Sequence, residues 1–188
     1  MHAFFSSILP ITLAELGDKT QLLTLFLASR FAQKYAIILG ILFATLLNHL
    51  ISAWLGVNLA HWFTPEIMNT IVGLSFMIIG LWLLKPDKAD TVNQKYMHYG
   101  AFSATLILFF LAEIGDKTQI ATILLAAHYQ ATFSIVAGST IGLLIANVPV
   151  IFLGNWLIQR LPFKIIHKIA CLLFCALGMG ILCQIWLS

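Results

Sequence analysis

Charged residues are scarce in this sequence. Only 9% of its 188 residues are Asp, Glu, Lys or Arg, whereas 61% are hydrophobic, and the mean hydropathy is +0.97. A soluble domain usually carries about 25% charged residues, so the composition argues against a water-soluble globular protein. No phosphate-binding G-x-x-x-x-G-K-[ST] loop occurs, which argues against an ATP-driven protein. The sequence therefore predicts an integral membrane protein.

Six apolar stretches are long enough to cross a hydrocarbon core of about 30 Å, which takes about 20 helical residues. No Lys or Arg precedes the first stretch and no small-residue cleavage site follows it, so we expect a retained helix rather than a signal peptide. The prediction is an all-α membrane protein with six transmembrane helices. These cover approximately residues 4–28, 35–60, 66–84, 99–127, 131–158 and 165–187.

Eight of the ten basic residues lie in or next to the connections between these stretches, and all eight fall on one side of the membrane in this threading. These connections follow the first, third and fifth spans, and the residues are Arg30, Lys34, Lys85, Lys88, Lys95, Arg160, Lys164 and Lys168. The positive-inside rule assigns that side to the cytoplasm, so both termini are expected outside it. The remaining two basic residues, Lys19 and Lys117, lie within spans.

A nine-residue motif occurs twice. LAELGDKTQ at 13–21 and LAEIGDKTQ at 111–119 differ at one position and lie 98 residues apart. Because each copy belongs to a set of three spans, an odd number, the second copy must enter the membrane from the opposite side. We therefore predict two inverted three-helix repeats, residues 1–84 and 99–188, joined by a polar cytoplasmic linker at 85–98.

Each motif places two carboxylates within the bilayer, where a charge costs about 2.5 to 3.5 kcal/mol. On a continuous helix, the acids and the lysine of a motif would project from one face. Convergence of the two motifs would leave a net negative charge that matches a divalent cation, with Lys19 and Lys117 balancing the rest. Carboxylate oxygens suit manganese, calcium or magnesium. The candidate metal ligands are Glu15, Asp18, Glu113 and Asp116.

Other oxygen donors lie near these acids. The Gln and Thr side chains of the motifs rotate away from the acids on an ideal helix, so they would join only if the helix is distorted. Gly17 and Gly115 permit such an unwinding, or else a close helix contact. The two candidate Asn residues are not strictly equivalent, because His49 aligns with Asn147 at the repeat offset. The additional candidates are Asn48, Asn147, Gln21, Gln119, Thr20 and Thr118.

Three other interpretations of the motifs remain open. The first is a structural cluster in which Glu15 pairs with Lys19, and Glu113 with Lys117. The second is a passive cation channel, since inverted pairs of three-helix units also build pores. The third is an intramembrane aspartyl protease, because the Gly-Asp of each motif resembles half of a G-x-G-D signature in which two carboxylates share a proton.

The paired E-x-G-D-[KR]-[TS] motifs resemble those of cation exchangers that include bacterial MneA-type manganese exporters and Golgi manganese and calcium transporters. The resemblance covers the whole chain. It implies a transporter rather than an enzyme, with Mn²⁺, and Ca²⁺ as a second substrate, exported from the cytoplasm in exchange for protons. It also implies that Glu15, Asp18, Glu113 and Asp116 bind the ion, and that no prosthetic group is needed.

The expected partners follow from this resemblance and from the charges. They are divalent metal ions, a counter-ion that is H⁺ or Na⁺, and the lipid bilayer, with no nucleic acid and no required oligomer. Carboxylates drawn together without a metal repel one another, which favours the binding of protons. The short loops favour the inner (cytoplasmic) membrane of a bacterium as the location.

Overall fold

The computed structural model describes residues 2–85, here called the first half, and residues 94–187, the second half; every regular element in these ranges is helical. The first half contains α1 (His2–Glu15), α2 (Lys19–Arg30), α3 (Lys34–Ala60) and α4 (Pro65–Leu83). The second half opens with a 3-10 helix (Gln94–Tyr99) and continues with α5 (Gly100–Glu113), α6 (Lys117–Tyr129), α7 (Thr132–Leu153), α8 (Asn155–Arg160) and α9 (Phe163–Leu187). Most of the predicted linker at 85–98 lies outside the described residues.

Four helices of the described ranges, α3, α4, α7 and α9, are long and apolar enough to cross a membrane. The segment 95–113, which includes α5, forms with α6 a pair bent by 70° at the break, and this pair makes a fifth span if it is counted as one. The same criterion of length and composition does not add α1 and α2. The all-α, multi-pass membrane class is thus confirmed with four or five spans, whereas six spans as inverted repeats stay a prediction.

The predicted span at 131–158 is too long. Helix α7 ends at Leu153. Gly154 adopts φ +56° and ψ −138°, a backbone region that residues other than glycine avoid. The Gly154 N–H still donates to the Val150 carbonyl at 2.8 Å, which closes the last turn. The chain then starts the short helix α8 at Asn155, so the apolar stretch is divided between two helices.

Large apolar side chains cover the outside of the molecule, and polar ones fill part of its interior. Leu172, Ile78 and Trp54 are 70%, 64% and 59% exposed, whereas Thr24 and Ser52 are fully buried. A soluble protein places such apolar surface inside, because its solvent is water. The arrangement is that of a protein whose outer surface contacts lipid.

The motif helices of each half pack against the other half. Helices α1 and α2 contact α7, helices α5 and α6 contact α3, and α3 and α7 contact each other. Helix α4 packs along α9 through small residues: a Cβ added at Gly73 would lie 2.9 Å from the carbonyl oxygen of Gly178. Small residues let helices approach closely in lipid. Each motif is therefore held beside a long helix of the opposite half.

Candidate cation site

Both motifs interrupt their helices. Helix α1 ends at Glu15 and α2 begins at Lys19, while α5 ends at Glu113 and α6 begins at Lys117. The glycine within each break has a positive φ, +85° at Gly17 and +75° at Gly115. This left-handed conformation is open to glycine and ends a helix. The expectation that the acids and the lysine of a motif share one face of a continuous helix is therefore wrong, because the unwinding permitted by these glycines occurs in both copies.

The glutamine at the end of each motif braces the unwound turn. The Gly17 N–H donates to Gln21 Oε1 at 3.0 Å, and the Gly115 N–H donates to Gln119 Oε1 at 2.6 Å. The Gln21 amide also donates to the Ala146 carbonyl of α7 at 3.0 Å. Both glutamine oxygens thus satisfy backbone donors that the broken helix exposes. Their role in this conformation is to support the break rather than to face the carboxylates.

The aspartate of each motif caps the helix that follows it. Asp18 and Asp116 have extended backbones, and each Oδ1 accepts a hydrogen bond of 2.6 Å from the backbone N–H of the next residue, Lys19 or Lys117. A carboxylate at a helix N-terminus is stabilised by the unpaired N–H groups and the helix dipole. Both aspartates are 3% exposed, so this stabilisation acts in an environment with little water.

Glu15 is fully buried and is held by partners from both halves. The Thr20 hydroxyl of its own motif donates to Glu15 Oε1, and Asn147 Nδ2 of α7 lies 3.3 Å from the same oxygen. Thr24 in turn donates to Asn147 Oδ1 at 2.7 Å, which orients the amide. Among the residues that the structure describes, Glu15 Oε2 has no hydrogen-bond partner. One carboxylate oxygen is therefore fixed and the other is available.

Glu113 is equally buried, but both of its oxygens are engaged by α3 of the first half. Thr45 donates to Oε1 at 2.6 Å, and Asn48 Nδ2 donates to Oε2 at 3.1 Å. Asn48 also donates to the Phe110 carbonyl at 3.0 Å. The predicted Asn48 and Asn147 thus occupy corresponding roles, each beside the glutamate of the opposite half, although their spacing differs by one residue from the repeat offset.

An ion pair joins the two motifs. Lys19 Nζ lies 3.6 Å from Asp116 Oδ2, and both Glu15 and Glu113 interact electrostatically with Asp116. The alternative of a structural cluster pairs Lys19 with Glu15, whereas here Lys19 contacts Asp116 of the other half. The Lys117 ammonium lies 3.4 Å from the Lys85 carbonyl and over the ring of Trp82. The motif lysines therefore act between segments rather than only along one helix.

The four motif carboxylates are buried, and Glu15, Glu113 and Asp116 interact electrostatically with one another, without forming a ready-made metal site. Over 2–85 and 94–187, no group of three or more His, Cys, Asp or Glu side chains is arranged to hold a metal ion. The oxygens present are carboxylate, amide and hydroxyl groups, which are hard ligands. Joint binding of one ion by several of these carboxylates would therefore require their side chains to rearrange.

Thr45 and Thr24, which hydrogen-bond Glu113 and Asn147, are site contacts that the sequence did not indicate as candidates. Thr45 lies three residues before Asn48, on the same helical face, and this spacing is the signal that could have indicated it. The repeat gave no help, because positions 98 and 99 residues after Thr45 are Leu143 and Leu144. Thr118, the counterpart of Thr20, is buried, and its hydroxyl has no hydrogen-bond partner among the described residues.

Comparison with known families decides what kind of protein this is. A family model described as "Divalent cation/proton antiporter GDT1" matches residues 3–91 and 101–187, which is nearly the whole chain. The chain belongs to the GDT1 family. This family is one of transporters, and its two matched segments each contain one copy of the motif. The resemblance drawn from the paired motifs is thereby confirmed.

Relatives of this GDT1 family member span bacteria and plants. A Vibrio cholerae protein named "Putative manganese exporter" is 44% identical, over 96% of this chain and 90% of its own length. A "GDT1-like protein" of Synechocystis is 31% identical over 93% of each chain. The rice "GDT1-like protein 4" is 27% identical over 92% of this chain and 70% of its own. No solved structure gives a significant match.

Proposed function

We propose that this protein exports divalent cations, principally Mn²⁺ and secondarily Ca²⁺, from the cytoplasm in exchange for protons. The observation that carries the proposal is the pair of buried glutamates, Glu15 and Glu113, each hydrogen-bonded to an Asn of the opposite half. Carboxylates in lipid are costly and are typical of ion pathways. Membership of an antiporter family and the name of the Vibrio relative support both the class of substrate and the exchange.

The proposed site uses Glu15, Asp18, Glu113 and Asp116 jointly for one ion. Their buried oxygens, with the Asn amides beside them, match the ligands that Mn²⁺ and Ca²⁺ prefer, and no Cys or His of the motifs competes for them. Without a metal, neighbouring carboxylates repel one another, and protons relieve that repulsion. Metal and protons would then occupy the same groups in turn, with Na⁺ as the alternative counter-ion.

The proposed architecture consists of two inverted repeats, 1–84 and 99–188, with six spans in an inner (cytoplasmic) membrane. It is supported by the packing between the halves: the motif helices of each half contact α3 or α7 of the other half. Such pairs can open alternately to the two sides around a central site. The positive-inside rule puts the linker at 85–98 in the cytoplasm and both termini outside. One chain contains the whole site, so no oligomer is required.

The proposal is tested first in cells. Cells that express the protein should survive excess Mn²⁺ better and contain less of it than cells without the protein. Single changes of Glu15, Asp18, Glu113 or Asp116 to Ala or to the amide should each abolish this difference while leaving the protein in the membrane. Glu66→Gln, which changes an exposed carboxylate at the start of α4, is the matched control and should keep full activity.

Two results would contradict the proposal. Wild-type Mn²⁺ export by two or more of the four site variants would refute the shared site. Protection against zinc but not against manganese would refute the choice of ion. The family membership favours an antiporter over the passive channel and over the intramembrane protease. Transport of Mn²⁺ that does not respond to a proton gradient would instead favour the passive channel.

A further inference from the structure

The two copies of the motif use their threonines differently. Thr20 and Thr118 both lie five residues after the motif glutamate, and the flanking helix breaks are alike. Thr20 donates to Glu15, whereas Glu113 accepts from Thr45 of α3. The Thr118 hydroxyl is fully buried and has no hydrogen-bond partner in the described part of the chain. A buried hydroxyl without a partner is unfavourable. This arrangement therefore indicates a second conformation in which the Thr118 hydroxyl has a hydrogen-bond partner.

In the described part of the chain, α3 offers Glu113 a hydroxyl that α7 does not offer Glu15. The contact between Glu15 and Thr20 shows that the motif threonine can reach the glutamate of its own motif. Thr118 occupies the equivalent position for Glu113. Thr45 is an additional donor to Glu113, and the corresponding positions of α7 are Leu143 and Leu144, which offer Glu15 no hydroxyl. Two hydroxyl groups, those of Thr45 and Thr118, are therefore candidate donors to Glu113, whereas Thr20 is the corresponding donor to Glu15.

We infer that Thr45 is a positioning residue that holds Glu113 away from the cation, and that Glu113 joins the site by exchanging Thr45 for Thr118. The inference rests on the proposed function, since it assumes that Glu113 binds the transported ion. In the present conformation Thr45 and Asn48 occupy both oxygens of Glu113, whereas Oε2 of Glu15 is available. The exchange moves Glu113 away from both Thr45 and Asn48 of α3, so that Thr118 holds one oxygen, as Thr20 does in Glu15, and the other oxygen binds the ion. One hydroxyl bond replaces another, and the ion replaces the amide.

The test measures equilibrium binding of Mn²⁺ by the purified full chain in detergent, with free Mn²⁺ followed by electron paramagnetic resonance. Thr45→Val keeps the shape of the side chain and removes the hydroxyl, so it should tighten Mn²⁺ binding, by up to about tenfold. Thr118→Val should weaken binding by about tenfold, because it removes the donor of the bound state. Thr45→Ser should bind like the wild type.

Thr105→Val is the matched control. Thr105 is also a buried threonine, but its hydroxyl donates only to the Ala101 carbonyl of its own helix, so its removal should leave Mn²⁺ binding unchanged. Thr45→Ala provides the second measurement if Thr45→Val does not fold. The direction of the effect is decisive, since a ligand or a merely structural threonine would weaken binding when it is removed.

Weaker or unchanged binding in both Thr45→Val and Thr45→Ala would overturn the inference while leaving the proposed function intact. Tighter binding in Thr118→Val would overturn it as well. Failure of the wild-type protein to bind Mn²⁺ or Ca²⁺ would instead contradict the proposed function, and the inference with it. Tighter binding by Thr45→Val together with weaker binding by Thr118→Val would support the exchange of donors.

Discussion

The two motif glycines provide a prediction in which identical local sequences should respond differently to the same substitution. Gly17 and Gly115 share a positive φ, so alanine at either position costs about 1 to 2 kcal/mol of backbone strain. The surroundings differ. A Cβ added at Gly17 would lie 2.7 Å from Cδ1 of Phe163 and 2.9 Å from Nε2 of His167, whereas no atom of the described residues would lie within 4 Å of a Cβ added at Gly115.

Gly17→Ala should therefore be the more destabilising change. Overpacking against a well-packed neighbour adds about 1 to 3 kcal/mol, and displacing His167 also breaks its 3.1 Å hydrogen bond to the Leu16 carbonyl. For Gly17→Ala, backbone strain and overpacking together should lower the free energy of unfolding by about 2 to 5 kcal/mol. For Gly115→Ala, backbone strain alone should lower it by about 1 to 2 kcal/mol. Unfolding by SDS titration in mixed micelles measures both.

A second substitution separates the two causes. Phe163→Leu in the Gly17→Ala background should recover part of the overpacking loss but none of the backbone strain. Equal destabilisation by the two glycine substitutions would refute the reasoning, because it would show that the contacts of Gly17 with the start of α9 carry no energetic weight.

Further predictions concern packing, the site and the ion. Gly56→Ala should prevent folding, because the added methyl group would collide with the backbone carbonyl of Ile123. Gly180→Ala would meet no atom of the described residues within 4 Å and should be neutral; fluorescence-detected size-exclusion chromatography measures both. Asn147→Leu should weaken Mn²⁺ binding about tenfold, since it removes a hydrogen bond to a buried carboxylate; wild-type affinity would refute the role of the amide. Lys19→Met should reduce transport because it removes the 3.6 Å ion pair with Asp116, and Lys19→Arg, which keeps the positive charge, should transport like the wild type. In competition assays of Mn²⁺ transport, Ca²⁺ should compete weakly and Zn²⁺ poorly, and stronger competition by Zn²⁺ would refute the oxygen-only site.

The class of the protein and its candidate carboxylates could be predicted from sequence because both depend on composition and repetition. Four acids in apolar stretches have no ordinary structural explanation, and their recurrence in order pointed to paired motifs. Asn48 and Asn147 were also found this way, because polar side chains are conspicuous in spans. Their contacts with Glu113 and Glu15 depend on how α3 and α7 pack, which no pattern within one helix reveals.

The local geometry of the motif was harder to predict. The spacing of the acids and the lysine predicts one shared face only on a continuous helix, and glycine in an apolar stretch is compatible with both a close contact and a break. Gln21 and Gln119 favour the break, because their side chains replace the lost backbone acceptors of Gly17 and Gly115. The sequence pattern does not indicate Thr45 for a different reason. Thr45 has no counterpart in the repeat, and a threonine in a span commonly donates its hydrogen bond to a backbone carbonyl of its own helix.

The central claim is exchange of a divalent cation for protons, and transport by the purified protein in liposomes tests it most directly. Liposomes loaded with a pH reporter receive a Mn²⁺ gradient in the absence of Na⁺ and at controlled voltage. The account predicts that protons move opposite to Mn²⁺, and that reversing the pH gradient reverses or slows the flux of the metal. Mn²⁺ flux that is unaffected by collapsing or reversing the pH gradient would contradict it and would indicate a channel or a sodium exchanger.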